Sequence, residues 1–277
     1  MDVLHAIILG VVEGVTEFLP ISSTGHLTIV EKLLGYQVDA AGITAFTAVI
    51  QIGAIGAAVV YFWRDIIRIA MAWCAGLFDR AKRDFDYRMG WYIIIATIPV
   101  AIAGLLLKPV IEGAFRSLWV VAAGLIIWSV VMFAADRVGR ATRSEKQITW
   151  KDAFAMGLMQ CFALIPGVSR SGATISAGLF RNIDRVAATR LSFFMGIPAL
   201  VAAGGLEATT KAKYISSHVG WAPTLVGIVV SFIVGYISIA WLLKFVANHT
   251  FSPFVVYRVL LGTAVVTLLG AHIITAN

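Results

Sequence analysis

Residues 13–28 read EGVTEFLPISSTGHLT. Glu13 and Glu17 stand four residues apart, so on a helix they share one face. Such a pair offers oxygen ligands to a hard divalent cation, Mg2+ or Ca2+. Alternatively, one of them is a general base whose proton affinity is raised by desolvation or by its neighbour. The purely structural reading is an ion pair to an arginine. Ser22, Ser23 and Thr24 follow Pro20, and one of these hydroxyls is expected to cap a helix beginning near Gly25. His26 lies three residues after Ser23. If the turn between them is helical, an imidazole nitrogen approaches Ser23 and makes a nucleophile–base pair, with Glu17 to orient the ring. Ser22 is the second candidate for the nucleophile.

A second stretch, PGVSRSGAT at Pro166–Thr174, surrounds Arg170 with Ser169 and Ser171, with Gly167 and Gly172 loosening the backbone. A guanidinium holds phosphate oxygens through two parallel hydrogen bonds. The flanking hydroxyls, Thr174 one turn on, and free N–H groups at the start of the following helix add anion-binding donors. An ion pair from Arg170 to Glu13 or Glu17 is compatible with this. If the two stretches meet, carboxylates, a hydroxyl and an imidazole face a phosphate clamp, and the chemistry is phosphoryl transfer or phosphate hydrolysis.

The elements that must position these groups are membrane helices. The chain has 277 residues, 60% hydrophobic and 13% charged, with mean hydropathy +0.89. Soluble domains are about a quarter charged. The pattern predicts an all-α polytopic membrane protein forming a single domain over residues 1–277, with no soluble domain and no cleaved signal peptide. In a soluble protein the net charge of +7 would point to nucleic acid; here it sets topology. Cys74 and Cys161 lack metal spacing and read as apolar fillers.

Six runs are long enough to cross, at about 43–62, 90–107, 118–135, 191–209, 223–246 and 254–274. Two further apolar regions, about 3–34 and 153–180, are broken by Pro20 and by the Pro166–Gly172 segment. Each is expected to form a re-entrant helix-loop-helix hairpin, which is tolerated only when buried in protein or lining a wet cavity. The two broken regions align with a one-residue gap, GVVEGVTEFLP-ISSTGHLT over GLMQCFALIPGVSRSGATIS. Each is followed by three spans. The chain thus reads as an inverted-topology repeat, repeat 1 about residues 1–135 and repeat 2 about 153–277, with the hairpins meeting near the midplane.

Basic residues concentrate at 63–89 (Arg64, Arg68, Arg80, Lys82, Arg83, Arg88) and at 136–190 (Arg137, Arg140, Arg143, Lys146, Lys151, Arg170, Arg181, Arg185, Arg190). The opposite side carries Lys32, Lys108, Arg116, Lys211 and Lys213. The basic loops are expected in the cytoplasm and both termini outside. Residues 64–83 read as an amphipathic interfacial helix. Small residues at Gly53–Ala58 serve either intramolecular packing or a homodimer.

The motifs EGVTE, FLPISSTGH and PGVSRSGAT, in this order in a chain of this length and hydropathy, resemble the undecaprenyl-diphosphate phosphatase family of bacteria, associated with bacitracin resistance. The resemblance implies an integral inner-membrane enzyme with an interdigitated inverted repeat and a site open to the outer face. It implies a dependence on divalent metal, and hydrolysis of undecaprenyl diphosphate to undecaprenyl phosphate and inorganic phosphate, which recycles the lipid carrier of peptidoglycan synthesis. Carried to this sequence, Ser23 is the nucleophile, Glu17 and His26 the acid–base and orienting pair, and Glu13 an assistant through the metal. Arg170, with Ser169, Ser171, Thr174, Ser22 and Gly172, holds the diphosphate. Direct activation of water by the same groups, without a phosphoserine, stays open. The rival reading is a transporter that flips undecaprenyl phosphate, since broken helices and midplane charges also mark carriers. A carrier has little need for a serine–histidine–glutamate cluster.

Overall fold

A computed structural model describes every residue except 38, 39, 113, 114, 116 and 277, so Arg116 lies outside the described residues. Among the described residues the chain is all-helical, with no β-strand. Six helices are long and apolar enough to cross a membrane. They are α3 (Ala41–Tyr61), α5 (Phe85–Leu106), α7 (Leu118–Val138), α10 (Arg185–Tyr214, apolar over Arg185–Leu206), α11 (Trp221–Val246) and α12 (Ser252–Gly270). All six expected spans fall on these helices. Large side chains on their outer faces, such as Leu105, Ile127, Val130 and Leu260, are exposed, as lipid-facing residues are.

Four shorter helices form two pairs. The first is α1 (Val3–Thr16) and α2 (Ser23–Leu33); the second is α8 (Trp150–Gln160) and α9 (Arg170–Phe180). At 1.5 Å per residue α1 rises about 21 Å and the others less, short of the ~30 Å hydrocarbon core. Each pair breaks where its sequence forbids a helix: Pro20 in the first, and Pro166 with Gly167 at φ +93° in the second. A side chain at Gly167 would collide with the Val121 carbonyl of α7, and one at Gly124 of α7 with the Pro166 carbonyl. The second turn therefore lies directly on the α7 backbone.

The two turns carry the same cap. Ser22 precedes α2 with φ 77° and its hydroxyl accepts the Gly25 N–H. Ser169 precedes α9 with φ 78° and accepts the Gly172 N–H. As expected, one of the hydroxyls after Pro20, that of Ser22, caps the helix, which begins at Ser23, two residues before Gly25. The matching caps set the two regions against each other without the expected one-residue gap, Ser22 on Ser169, Gly25 on Gly172 and Glu13 on Gln160. Ser23 and Arg170 then occupy equivalent positions, each the first residue of its helix.

The pairs pack crosswise. Helix α1 lies on α11, and α8 on α5. The contacts use small residues: Gly10 and Gly14 face the Gly227 and Ser231 carbonyls, and Gly157 faces Ala96. Between apolar helices in lipid, such close backbone approach supplies the packing that the hydrophobic effect cannot. Gly53 and Gly56 likewise face Ile228 and Phe232 of α11, so those small residues serve packing within the chain. Helix α4 (Trp63–Phe78) covers the expected amphipathic segment and buries only Ile69 and Gly76. The short α6 (Lys108–Glu112) follows α5.

The basic loops are tied down by acidic residues. Asp136 pairs with Arg185 at 2.7 Å. Arg190 reaches Glu145 at 2.9 Å and Asp65 at 3.1 Å. Asp152, fully buried just before the second broken region, accepts from Arg143 at 2.6 Å, Arg181 at 2.8 Å and the Thr149 hydroxyl at 2.7 Å. Burial alone raises the Asp152 carboxyl, but the hydrogen bonds from Arg143, Arg181 and Thr149 outweigh it and hold the group well below the usual carboxylate range. A depressed folded value means that the stabilisation is complete above the unfolded-state value near ~4 and is lost as pH falls toward the folded one. Asp152→Asn should therefore lower the melting temperature of the purified protein at pH 7, by the equivalent of about 2–3 kcal/mol. The gap to the parent protein should narrow below about pH 4. Equal melting temperatures at pH 7 would contradict this assignment.

Candidate active site

The two turns meet. Glu17, at the end of α1, is 6% exposed and has a different partner on each oxygen. Its Oε2 accepts the Ser23 hydroxyl at 2.7 Å. Its Oε1 faces Arg170 Nη2 at 3.4 Å, across the junction between the pairs. Ser23 is partly exposed and Thr24 beside it is exposed. The structure thus brings Glu17, Ser23 and Arg170 together. Helices α2 and α9 both begin here, so two positive helix ends add to the guanidinium.

Arg170 is held from behind. Its Nη1 donates to the Ser192 carbonyl of α10 at 3.1 Å, and the Cα of Gly196 lies against the guanidinium, where a Cβ would overlap Nη1. Its Nε is buried and has no partner. The Nε–Nη2 edge, the side of the fork that grips two oxygens at once, is therefore engaged only through the long contact to Glu17.

The remaining expected ligands are placed differently. Ser22 is buried, and its hydroxyl accepts from Gly25 N and, at 3.1 Å, from Gly167 N of the second turn. Ser171 donates to the Leu19 carbonyl at 3.2 Å and bonds Ser169 at 3.1 Å. Thr174 bonds Ser192 Oγ at 2.6 Å and the Arg170 carbonyl at 2.9 Å. Gly172 donates its N–H to Ser169. These groups stitch one turn to the other and set Arg170; their hydrogen-bonding capacity faces protein.

The Ser23–His26 approach that the spacing permits is not made. The turn from Ser23 to His26 is helical, yet the His26 ring turns toward α12. Nδ1 lies 2.7 Å from the Ser22 carbonyl and Nε2 lies 2.7 Å from the Tyr257 hydroxyl. The partner of the Ser23 hydroxyl is Glu17. Glu13 is 1% exposed with Oε1 unpartnered. Among the described residues no three His, Cys, Asp or Glu side chains cluster as metal ligands.

Sequence reasoning missed Arg258. It is 0% exposed and donates from Nε to Ser129 Oγ at 3.1 Å, from Nη1 to the Pro20 carbonyl at 3.2 Å, and from Nη2 to the Gly124 and Gly167 carbonyls at 3.2 and 2.7 Å. It binds both turns to α7 and α12. The signal was an arginine inside the last apolar run, a residue type that membrane helices carry only for cause.

The sequence profile of a family described as bacitracin resistance protein BacA matches residues 6–264. A protein of Cutibacterium acnes named undecaprenyl-diphosphatase is 57% identical over 284 residues, covering all of both chains. Undecaprenyl-diphosphatase 3 of Frankia casuarinae is 54% identical over 278 residues, again covering both completely. Undecaprenyl-diphosphatase 1 of Streptomyces coelicolor is 55% identical over 272 residues, 98% of this chain and 97% of that one. With every motif of the site lying inside the matched region, this multi-pass membrane protein belongs to the bacitracin resistance protein family.

Proposed function

We propose that this chain hydrolyses undecaprenyl diphosphate to undecaprenyl phosphate and inorganic phosphate, in the inner membrane, with both termini and the mouth of the site on the outer side. The two short-helix pairs act as re-entrant hairpins of an inverted repeat, and the lipid reaches their junction sideways while its tail stays in the bilayer. The observation that carries the reading is the buried, unpartnered Nε of Arg170 beside the Ser23–Glu17 hydrogen bond. A charge-assisted contact is best at about 2.7–2.9 Å, so a bidentate phosphate competes well against Glu17 at 3.4 Å. Its arrival frees Glu17 to act as base. The curated relatives carry this activity in their names, whereas a flippase has no use for a hydroxyl hydrogen-bonded to a carboxylate at the clamp.

The reaction then runs as follows. Ser23 Oγ attacks the terminal phosphorus and its proton passes to Glu17. The bond from that phosphorus to the bridging oxygen breaks, and undecaprenyl phosphate leaves. Water hydrolyses the phosphoserine, restoring the hydroxyl and releasing phosphate. Arg170 and the first N–H groups of α2 and α9 neutralise the charge on the phosphoryl oxygens throughout. Glu13, with its orphaned Oε1, and Glu17 on the same face fit a hard cation. Mg2+ typically takes one or two carboxylates, its other ligands coming from substrate phosphate and water, whereas Ca2+ would draw on more oxygens. Such an ion would supply further charge neutralisation. Release of the lipid monophosphate renews the carrier, so more of this protein should raise bacitracin resistance.

Phosphate release from undecaprenyl diphosphate in detergent tests the reading. Release should depend on added Mg2+ or Ca2+. It should fall by about 10²–10⁴-fold in Glu17→Gln and Ser23→Ala, and nearly as far in Arg170→Lys, since lysine cannot grip two oxygens. Quenching during turnover should trap phosphate on Ser23; an unlabelled Ser23 would transfer the attack to water. Folded protein that binds undecaprenyl phosphate but releases nothing would favour the carrier. Gly196→Ala provides an independent check. The new methyl displaces the guanidinium, so kcat/KM should drop about 100-fold in a protein that still folds; an unchanged value would mean that Arg170 does not work from this position.

A further inference from the structure

The expected role of His26 as base leaves an unexplained geometry, because both of its ring nitrogens are engaged away from Ser23. The Ser22 carbonyl oxygen has no proton to give, so Nδ1, 2.7 Å away, carries the hydrogen and donates it. In the neutral ring Nε2 is then a bare acceptor. The Tyr257 hydroxyl, 2.7 Å from Nε2, is the donor. The two rings lie nearly parallel, 9° apart with centroids at 5.5 Å. His26 is 8% exposed and Tyr257 44% exposed, so the phenol covers the imidazole on its outer side.

The Ser22 carbonyl also accepts the His26 backbone N–H at 3.2 Å. That carbonyl belongs to the peptide joining Ser22 to Ser23, and Ser22 stands at φ 77°, ψ 99°. This is a conformation that a residue with a side chain keeps only under external constraint. A trans peptide is planar, with its N–H opposite to its C=O. Whatever fixes the Ser22 carbonyl therefore aims the Ser23 N–H, and with it the start of α2 and the Ser23 side chain.

We propose that Tyr257 is a positioning residue for the reaction. Its hydroxyl holds His26 in the Nδ1–H tautomer, and His26 in turn holds the Ser22–Ser23 peptide so that the nucleophile and the first helix N–H face the phosphate. His26 is a strut in this account, and the proton of Ser23 goes to Glu17. The proposal rests on the reading of Ser23, Glu17 and Arg170 as the reacting site.

The test is a double-mutant cycle on phosphate release from undecaprenyl diphosphate by the full chain in detergent, with Tyr257→Phe, His26→Ala and the pair. Tyr257→Phe keeps the ring and removes one hydrogen bond, so kcat should fall about 10-fold with KM within about 2-fold of the parent value. In the His26→Ala background the same change should cost nothing further. Losses that multiply in the double variant, or an unchanged kcat in Tyr257→Phe, would overturn the proposal. Nitrogen-15 spectra of histidine in the unsubstituted protein supply a readout that does not depend on any variant folding. They should show His26 as the Nδ1–H tautomer with a hydrogen-bonded Nε2, and an Nε2–H tautomer would also overturn it. If Ser23→Ala and Glu17→Gln retain full activity, the site reading itself fails; if they are inactive and Tyr257→Phe is normal, only the role of Tyr257 fails.

Discussion

Arg258 lies at the centre of the bundle, and its partners among the described residues are one hydroxyl and three backbone carbonyls. A broken helix leaves carbonyls without an intrahelical donor, and in a membrane water cannot satisfy them. Arginine has five N–H donors in a rigid fork, enough to serve both turns at once. The Pro20 and Gly167 carbonyls, from opposite halves of the chain, hang on the same guanidinium. Breaking the helices inside the bundle and bringing the breaks together are thus one problem with one solution. Removing either turn would leave a buried cation with too few acceptors, which is why the two turns stand or fall together.

Around that anchor the two turns are built alike and used differently. Each stores a serine at positive φ with a cap from its own hydroxyl; Ser22 also accepts from Gly167 of the other turn, and Ser171, beside Ser169, donates to Leu19 of the first. The strain is held by mutual contact, as local strain at functional sites commonly is. From equivalent first positions of their helices, one turn projects a hydroxyl and the other a guanidinium. Glu17 stands between them and accepts from both. Its bond to the Ser23 hydroxyl is short, 2.7 Å, and its contact with Arg170 long, 3.4 Å, so in the proposed reaction the second is the one a substrate anion would displace.

The serines that looked like phosphate ligands show how sequence pattern and tertiary role separate. Ser22, Ser169, Ser171 and Thr174 have the right side chains, yet all four point their hydroxyls into protein. Short polar groups near a chain break are needed first for capping and for satisfying backbone, and only what remains accessible can meet a ligand. Ser23 stays partly exposed, and the Nε of Arg170, although buried, is left without a protein partner.

The sequence by itself determined the membrane class, the six spans and the two breaks. It also singled out Glu17, Ser23 and Arg170, the residues that the structure brings together. These follow from apolar run length, from proline and glycine, and from the cost of a charge in lipid, all of which are local properties. The tertiary structure decided the meeting of the two turns, the direction of the His26 ring toward Tyr257 and the existence of Arg258 as a common anchor. Those depend on which atoms meet across more than a hundred residues of chain. Spacing within one helix turn predicted a histidine beside Ser23. The turn is helical as that spacing requires, but the ring instead meets the Tyr257 hydroxyl of α12, and no single segment carries that information.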